Sequence, residues 1–263
     1  MRASGRLAVA AILASGLSAF GMAVVHAGSD AFGAGFVFEG VPPPANNDAA
    51  TGAVFSLAAG EADGNSGGLG VLHDGRVPGG EDSPRENFFF RAGSVGGRIL
   101  VDLGREVSVR QVNTYSWHPG ARGPQVYTLW GDGGAAPADA AMPETAGWRL
   151  IARVDTRPRE GDGGGQYGVS VEADDGGMLG AFRRLLFVVS PTETRDPFGH
   201  TFFSEIDVLD AAGPPPTADA SLVAARPIRI AFNSPDGRYA YQVDTTAAPD
   251  LAGWVESELK PAI

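Results

Sequence analysis

Between Phe36 and Asp210 the apolar residues come in short alternating runs, each closed by glycine, proline, aspartate or asparagine, and few folds tolerate that rhythm. Arg98–Leu103 places Ile99, Val101 and Leu103 on one face, and Trp148–Val154 does the same through Trp148, Leu150, Ala152 and Val154. A period of two belongs to a half-buried strand, not to a helix. Further strands are expected at Val54–Ala58, Val107–Trp117, Gln125–Trp130, Tyr167–Val171, Phe182–Val189 and Phe202–Leu209, with another at Gly35–Glu39. Val107 and Val109 share a face but Val112 is out of phase, which predicts a bulge near Arg110-Gln111. With 38 Gly and 19 Pro the chain has ample material for turns, and no convincing helix stands in this span. The expected class is all-β, a sandwich or barrel.

The two ends read differently. Arg2 and Arg6 precede a mostly apolar run from Leu7 to Val25, and Val25-His26-Ala27 offers a small-x-small cleavage site. Met1–Ala27 is therefore expected to be a signal peptide, giving a secreted or periplasmic product, with no later segment apolar for long enough to span a bilayer. After removal, residues 28–212 would form the sandwich, and 213–226, opening with Gly213-Pro214-Pro215-Pro216-Thr217, a Pro/Ala-rich linker. Residues 227–263 then suggest a short β-β-α tail: strands at Ile228–Phe232 and Tyr239–Asp244, and a helix over Pro249–Lys260 with Leu251, Trp254, Val255 and Leu259 on one face. The chain contains no cysteine, so no disulfide supports the fold. A formal charge of −11 argues against nucleic acid and anionic lipid as partners.

The most suggestive chemistry lies in Asn113–Trp130. Two aromatic strands there are joined by His118-Pro119-Gly120-Ala121-Arg122-Gly123-Pro124, which no helix can cross. Trp117, His118 and Arg122 fall within six positions: a flat ring, an imidazole and a guanidinium fork, the groups a polar ring-shaped ligand needs. Tyr115 stands behind them, and Asn87 and His200 are candidates to arrive from other loops. The same alternation equally allows Tyr115 and Trp117 to be core, and Arg122 to brace the loop through backbone carbonyls. Asp162 and the acidic turn of Glu172, Asp174 and Asp175 read as solvated loop. No catalytic triad order, phosphate-cradling glycine motif or metal-ligating histidine pair is present.

Taken in order, Arg98-Ile-Leu-Val-Asp-Leu-Gly104, Val109-Arg-Gln-Val112, Trp148-Arg-Leu-Ile-Ala152, Phe182-Arg-Arg-Leu185 and Phe203-Ser-Glu-Ile-Asp-Val208 resemble a discoidin domain, also called the coagulation factor 5/8 type C domain. The resemblance covers about residues 36–210 and implies a jelly-roll β-sandwich of the galactose-binding type, a module that recognises sugars or surfaces. It also implies a structural calcium held by an Asp-Gly loop and a Glu at the head of the last strand, here Asp74 and Glu205. The bland alternative has Asp74 capping its own turn. The tail, through Tyr239-Ala-Tyr-Gln-Val-Asp-Thr245, Ala248-Pro-Asp-Leu251 and Trp254, is similar to the opening of the basic secretory protein family, secreted zinc peptidases whose His-Glu-x-x-His motif this chain lacks. The expected function is a secreted, non-catalytic carbohydrate- or surface-binding module with a cell-surface or matrix glycan as partner. The alternatives are the targeting part of a zinc metallopeptidase and a protein-protein adhesion module.

Overall fold

The structure, a computed structural model, describes residues 23–30, 36, 38, 40–139, 142–161, 163–195, 197–218, 230–233 and 240–243. Eight strands build the body: β1 (Ala23–Asp30), β2 (Val54–Ala59), β3 (Gly97–His118), β4 (Val126–Asp132), β5 (Arg149–Asp155), β6 (Gly165–Ala173), β7 (Gly180–Val189) and β8 (Phe203–Asp210). All pairings are antiparallel.

The expected strands at Arg98–Leu103 and Val107–Trp117 form one strand, β3, of 22 residues. Its first half lies between β2 and β7, and its second half between β6 and β8. One layer is thus β2-β3-β7-β4-β5 and the other β8-β3-β6-β1, with β3 shared. Between the halves the register with β7 jumps from Asp102 opposite Arg184 to Val107 opposite Phe182. Gly104 takes up the kink at φ 73°, and its N–H donates to Asp102 Oδ1 (2.8 Å). The predicted bulge is present: opposite β8 the pairing passes from Val109 to Gln111 and skips Arg110.

The inward faces meet in one core containing Ile99, Val101, Val109, Val112, Leu129, Val169, Val171, Leu185, Phe187, Ile206 and Val208. Phe88 and Phe90 seal one end of it, both at most 1% exposed. A smaller cluster of Trp130, Trp148 and Leu186 sits apart. In β7, Leu186 belongs to it while Leu185 and Phe187 join the main core, as strand alternation requires. A register shift in β5 skips Ile151, which breaks the expected run: Ala152 and Val154 face the main core, Trp148 the outer cluster, and Leu150 is 38% exposed. Ala136 joins Trp148 in the outer cluster and Ala138 and Ala146 pack against it; the Trp148 Nε1–H donates to Pro137 O (3.0 Å), while Arg184 joins Asp132 to Ala136 O.

Three expectations need correcting. No strand occupies Gly35–Glu39 at its described positions. Phe36 turns with φ 57° and is fully buried, and Phe38 bridges only to Val41. The end of the expected leader belongs to a strand, because β1 pairs along β6 from Ala23–Ala173 to Asp30–Gln166. Five of these paired residues, Ala23–Ala27, lie within the expected leader, so cleavage after Ala27 would leave Gly28–Asp30 on the sheet. The opening of the linker is also pinned. Thr217 O accepts from Asn46 N–H (3.0 Å), and Thr217 N–H donates to Asn47 Oδ1 (2.7 Å). In the tail, β9 (Ile230–Asn233) and β10 (Ala240–Val243) form an antiparallel pair as expected. The anticipated helix over 249–260, residues 1–22, the linker from 219 and Asp162 lie outside the described residues.

The pairings Ala59–Arg98, Gly97–Val189, Val126–Asp155, His118–Gly165 and Ser116–Phe203 bring residues 60–96, 119–125, 156–161, 163–164, 190–195 and 197–202 to one end of the sandwich. Two glycines test how the layers are held. At Gly96 (φ 95°) a Cβ would sit 2.1 Å from Val189 O, whereas at Gly104 (φ 73°) it would meet open space. Gly104→Ala should therefore cost about 1 kcal/mol of backbone strain, and Gly96→Ala more than about 2 kcal/mol because the clash is with backbone. Urea unfolding of both variants measures the gap.

Candidate functional site

The end loops carry the chemistry, and the residues 119–124 after β3 are tightly held. Ser116 Oγ donates to Gly123 O (2.6 Å), Thr201 Oγ1 to Pro124 O (2.7 Å) and Phe202 N–H to Arg122 O (2.9 Å). Beneath them a buried polar network joins Thr114, Gln125, Ser116 and Tyr127: Gln125 Nε2 reaches Thr114 O (3.2 Å) and Ser116 Oγ (3.0 Å), and Thr114 Oγ1 lies 3.0 Å from the Tyr127 hydroxyl. Buried polar groups with their partners in place fix one loop geometry.

Arg122 emerges from this base into a cleft of about 320 Å³ lined by Asp63, Asn65, Asp82, Pro84, Arg85, Phe89, Arg122, Phe198 and Phe202. Phe89 and Phe202 are stacked with centroids 4.1 Å apart, and the Arg122 guanidinium carbon lies 3.9 Å from the Phe202 centroid and 4.7 Å from that of Phe89. Its Nε donates to His200 O (3.3 Å). A cation over an aromatic face gains about 0.5–2 kcal/mol according to its exposure, and this half-buried arginine, resting on both rings, is part of the floor. Phe198, in contrast, is 52% exposed at the rim. Asp63 is oriented by the N–H groups of Asn65 (2.9 Å) and Ala92 (3.4 Å). The cleft thus offers an accessible aromatic surface beside carboxylate, amide and guanidinium groups.

Of the residues singled out in the sequence, Arg122 alone lines this cleft. Trp117 is half-buried and packs edge-on against Phe36, centroids 5.9 Å apart. His118 lies beside the floor, its ring edge-on to Phe202 (4.7 Å) and its Nδ1 accepting from Gly120 N–H (3.0 Å). Tyr115 and Asn87 are core residues, each 0% exposed. The Tyr115 hydroxyl donates to Pro42 O (2.7 Å), while Asn87 donates to Ser83 O (2.9 Å) and accepts from Ser204 Oγ (2.8 Å). Their polar atoms are committed inside the fold, which removes them from a ligand surface. His200, 1% exposed, supports the floor from below with Nε2 3.2 Å from Ser94 Oγ. Burial first, and then the charge of Arg122, lowers the pKa of both His118 and His200. Phe198 was missed; its signal is an aromatic residue set between Pro197 and Gly199, where no strand can bury it.

The second pair, Asp74 and Glu205, is brought together elsewhere. Gly75 N–H donates to Glu205 Oε2 (3.1 Å), and Asp74 Oδ1 accepts from Arg76 N–H (3.0 Å), the self-capped turn that was the bland alternative. Glu205 and Asp207, both 0% exposed, project from β8 into the interior. Asp207 Oδ2 accepts from Ala45 N–H (3.0 Å) and from the Tyr115 hydroxyl (3.3 Å). Glu205 Oε1 and Asp207 Oδ1 have no partner. Burial, reinforced by Asp207, Asp74 and Asp48, pushes the Glu205 carboxyl up to about 11, and burial also raises Asp207. Among the described residues no three His, Asp or Glu side chains are grouped to hold a metal ion.

No family model matches the chain, and no curated protein matches it. The likeness of the tail to the basic secretory protein family finds no support there. Among solved structures the chain is similar to the lectin domain of lectinolysin complexed with Lewis B antigen, at 15% identity and TM-score 0.42 over 64% of this chain and 99% of that one. It is also similar to the family 32 CBM from C. perfringens NanJ in complex with galactose, at 12% identity and TM-score 0.40 over 62% of this chain and 97% of that one. A third similar structure, SpGH29, is spanned over 28% of its length at 12% identity and TM-score 0.39, with 64% of this chain covered.

The two lowered histidine pKa values have a defined consequence. The unfolded chain takes up protons near pH 6.5 while the folded loops resist them, so the unfolded state binds more protons and stability falls as pH drops below about 6.5. Between pH 7.5 and 5 this effect opposes that of the raised carboxyls in the interior, so it is read as a difference: thermal melts should show His200→Gln gaining stability relative to wild type as the pH is lowered.

Proposed function

We propose that this chain is an exported, non-catalytic module that binds carbohydrate in the cleft at the loop end of the sandwich. The observation that carries the reading is the exposed Phe198 ring set beside Asp63, Asn65, Asp82, Arg85 and Arg122 in one concave site. A sugar ring presents C–H groups to an aromatic face and hydroxyls that both donate and accept, and this mixed lining answers both needs. The volume sits at the small end of the usual range of about 300–1,000 Å³ for ligand pockets. The non-catalytic part rests on where unusual acids lie: Asp48, Glu205 and Asp207, raised by burial, are not among the cleft's lining residues. Export rests on the basic and apolar leader of the sequence.

A structural calcium forms part of the proposal. Two buried carboxylate oxygens without partners, Glu205 Oε1 and Asp207 Oδ1, fit a cation. Glu205 and Asp74 would hold it, and backbone carbonyls would supply most of the six to eight oxygens that calcium takes. Its charge would let buried carboxylates remain ionised. Without a cation, Glu205 keeps its proton in the folded state while the unfolded chain releases it near its ordinary 4.5, so stability falls as pH rises above that value.

For the cleft, Phe198→Ala should weaken glycan binding at least tenfold with an unchanged melting temperature, since the ring is half exposed. Glycan-array binding and titration of wild type and variant measure it; equal binding by both would move the site elsewhere. For calcium, an excess of about 100 times Kd should stabilise wild type by about 2.7 kcal/mol. Glu205→Gln should melt higher than wild type in chelator and lose the calcium response. A wild-type midpoint indifferent to chelator removes the ion.

A further inference from the structure

The charges lining the cleft point past carbohydrate in general to a class of sugar. Asp63 and Asp82 line the same cleft, and the Asp63 carboxylate is oriented by two backbone N–H groups. Each carboxylate has acceptor sites to spare beyond these bonds. The two cations of the lining each also brace the protein, so each turns only part of its donor fork to the cleft. Arg122 lies on the Phe202 and Phe89 rings with Nε on His200 O, and Arg85 reaches Ser66 O (3.4 Å). Exposed Glu81 adjoins Asp82, and the whole chain carries a formal charge of −11. An incoming anion is opposed at long range by the net negative field of the protein, and at contact wherever its carboxylate falls beside Asp63 or Asp82. A hydroxyl group meets no such opposition, because it can donate to Asp63 or Asp82.

We propose that the cleft selects uncharged sugar rings and excludes those bearing a carboxylate, with Asp63 and Asp82 as the discriminating residues. The inference rests on the carbohydrate reading and narrows it. Matched pairs test it, because galactose and galacturonic acid, glucose and glucuronic acid, and mannose and mannuronic acid each differ only in oxidation of C6. Methyl glycosides of each pair are titrated into the full chain at low and high salt, alongside fucose, N-acetylgalactosamine and N-acetylneuraminic acid.

The expected result is that the neutral member of the binding pair is at least tenfold tighter at low salt, and that the gap narrows in high salt as screening weakens the like-charge opposition. In the Asp63→Asn/Asp82→Asn variant, which keeps amide oxygens in the acceptor positions, the gap should fall below about threefold. A uronic acid or N-acetylneuraminic acid that binds as tightly as the neutral sugars overturns the inference while leaving the carbohydrate reading in place. A gap unchanged in the double variant overturns the assignment to Asp63 and Asp82. Binding by no sugar of either kind overturns the carbohydrate reading itself, and the inference with it.

Discussion

One strand belongs to both layers of this sandwich. The second half of β3 has β6 on one side and β8 on the other, and its first half has β2 and β7. Each layer is therefore assembled against the same 22-residue backbone, and neither can slide relative to the other without breaking β3. A strand of that length would run straight out of one layer unless it bent. The kink at Gly104 and the skipped Arg110 supply the bend, and the skip re-aims Val112 so that both halves present apolar side chains to one interior. The chain has no disulfide to do this work, so the shared strand is the crosslink.

Because β3 ends at His118, its geometry passes directly to the loop that follows. Backbone and side-chain hydrogen bonds from Ser116, Thr201 and Phe202 fasten residues 122–124, and the buried polar network around Thr114 and Gln125 lies underneath. A loop held in this way keeps its shape without a ligand, which lowers the ordering cost of binding. The site is divided between a fixed floor, made of Phe89, Phe202 and Arg122, and an exposed rim at Phe198. Rigidity comes from the floor, and access from the rim.

The strands were legible in the sequence because a two-residue period needs only local information. β4, β6, β7 and β8 stand within a few residues of where alternation and turn residues place them. The continuity of β3 was hidden, since Gly104-Arg105-Glu106 reads as a turn and only partners on both sides keep it extended. β1 was hidden for the opposite reason: its composition is that of a leader, and its structure comes wholly from pairing with β6. In the site, Arg122 was legible as a guanidinium in a loop of glycines and prolines, and its bond to His200 O is the brace that was the alternative reading. Tyr115 and Trp117 carried two readings, and burial decided between them: the ring of Tyr115 fills the interior and its hydroxyl satisfies Pro42 and Asp207. Asp63, Asp82 and Phe198 reach the cleft from segments far apart in sequence, a convergence that no local pattern can reveal.

β8 links the interior to the cleft. Phe202 precedes its first residue and forms the floor under Arg122, while Glu205 and Asp207 lie only a few positions along the same strand. Phe203 is hydrogen-bonded to Phe88 in both directions, which ties the segment 84–90 and its cleft residues to the strand. Any free energy stored in the two buried carboxylates is therefore stored next to the backbone that shapes the floor. Relief of that cost, whether by a cation or by protonation, acts on the stability of β8 first. The end of β8 that carries Phe202 moves only if the strand does, so the charge carried by Glu205 and Asp207 bears on how firmly the floor is held. Its chemistry would remain that of Phe198 and the lining acids.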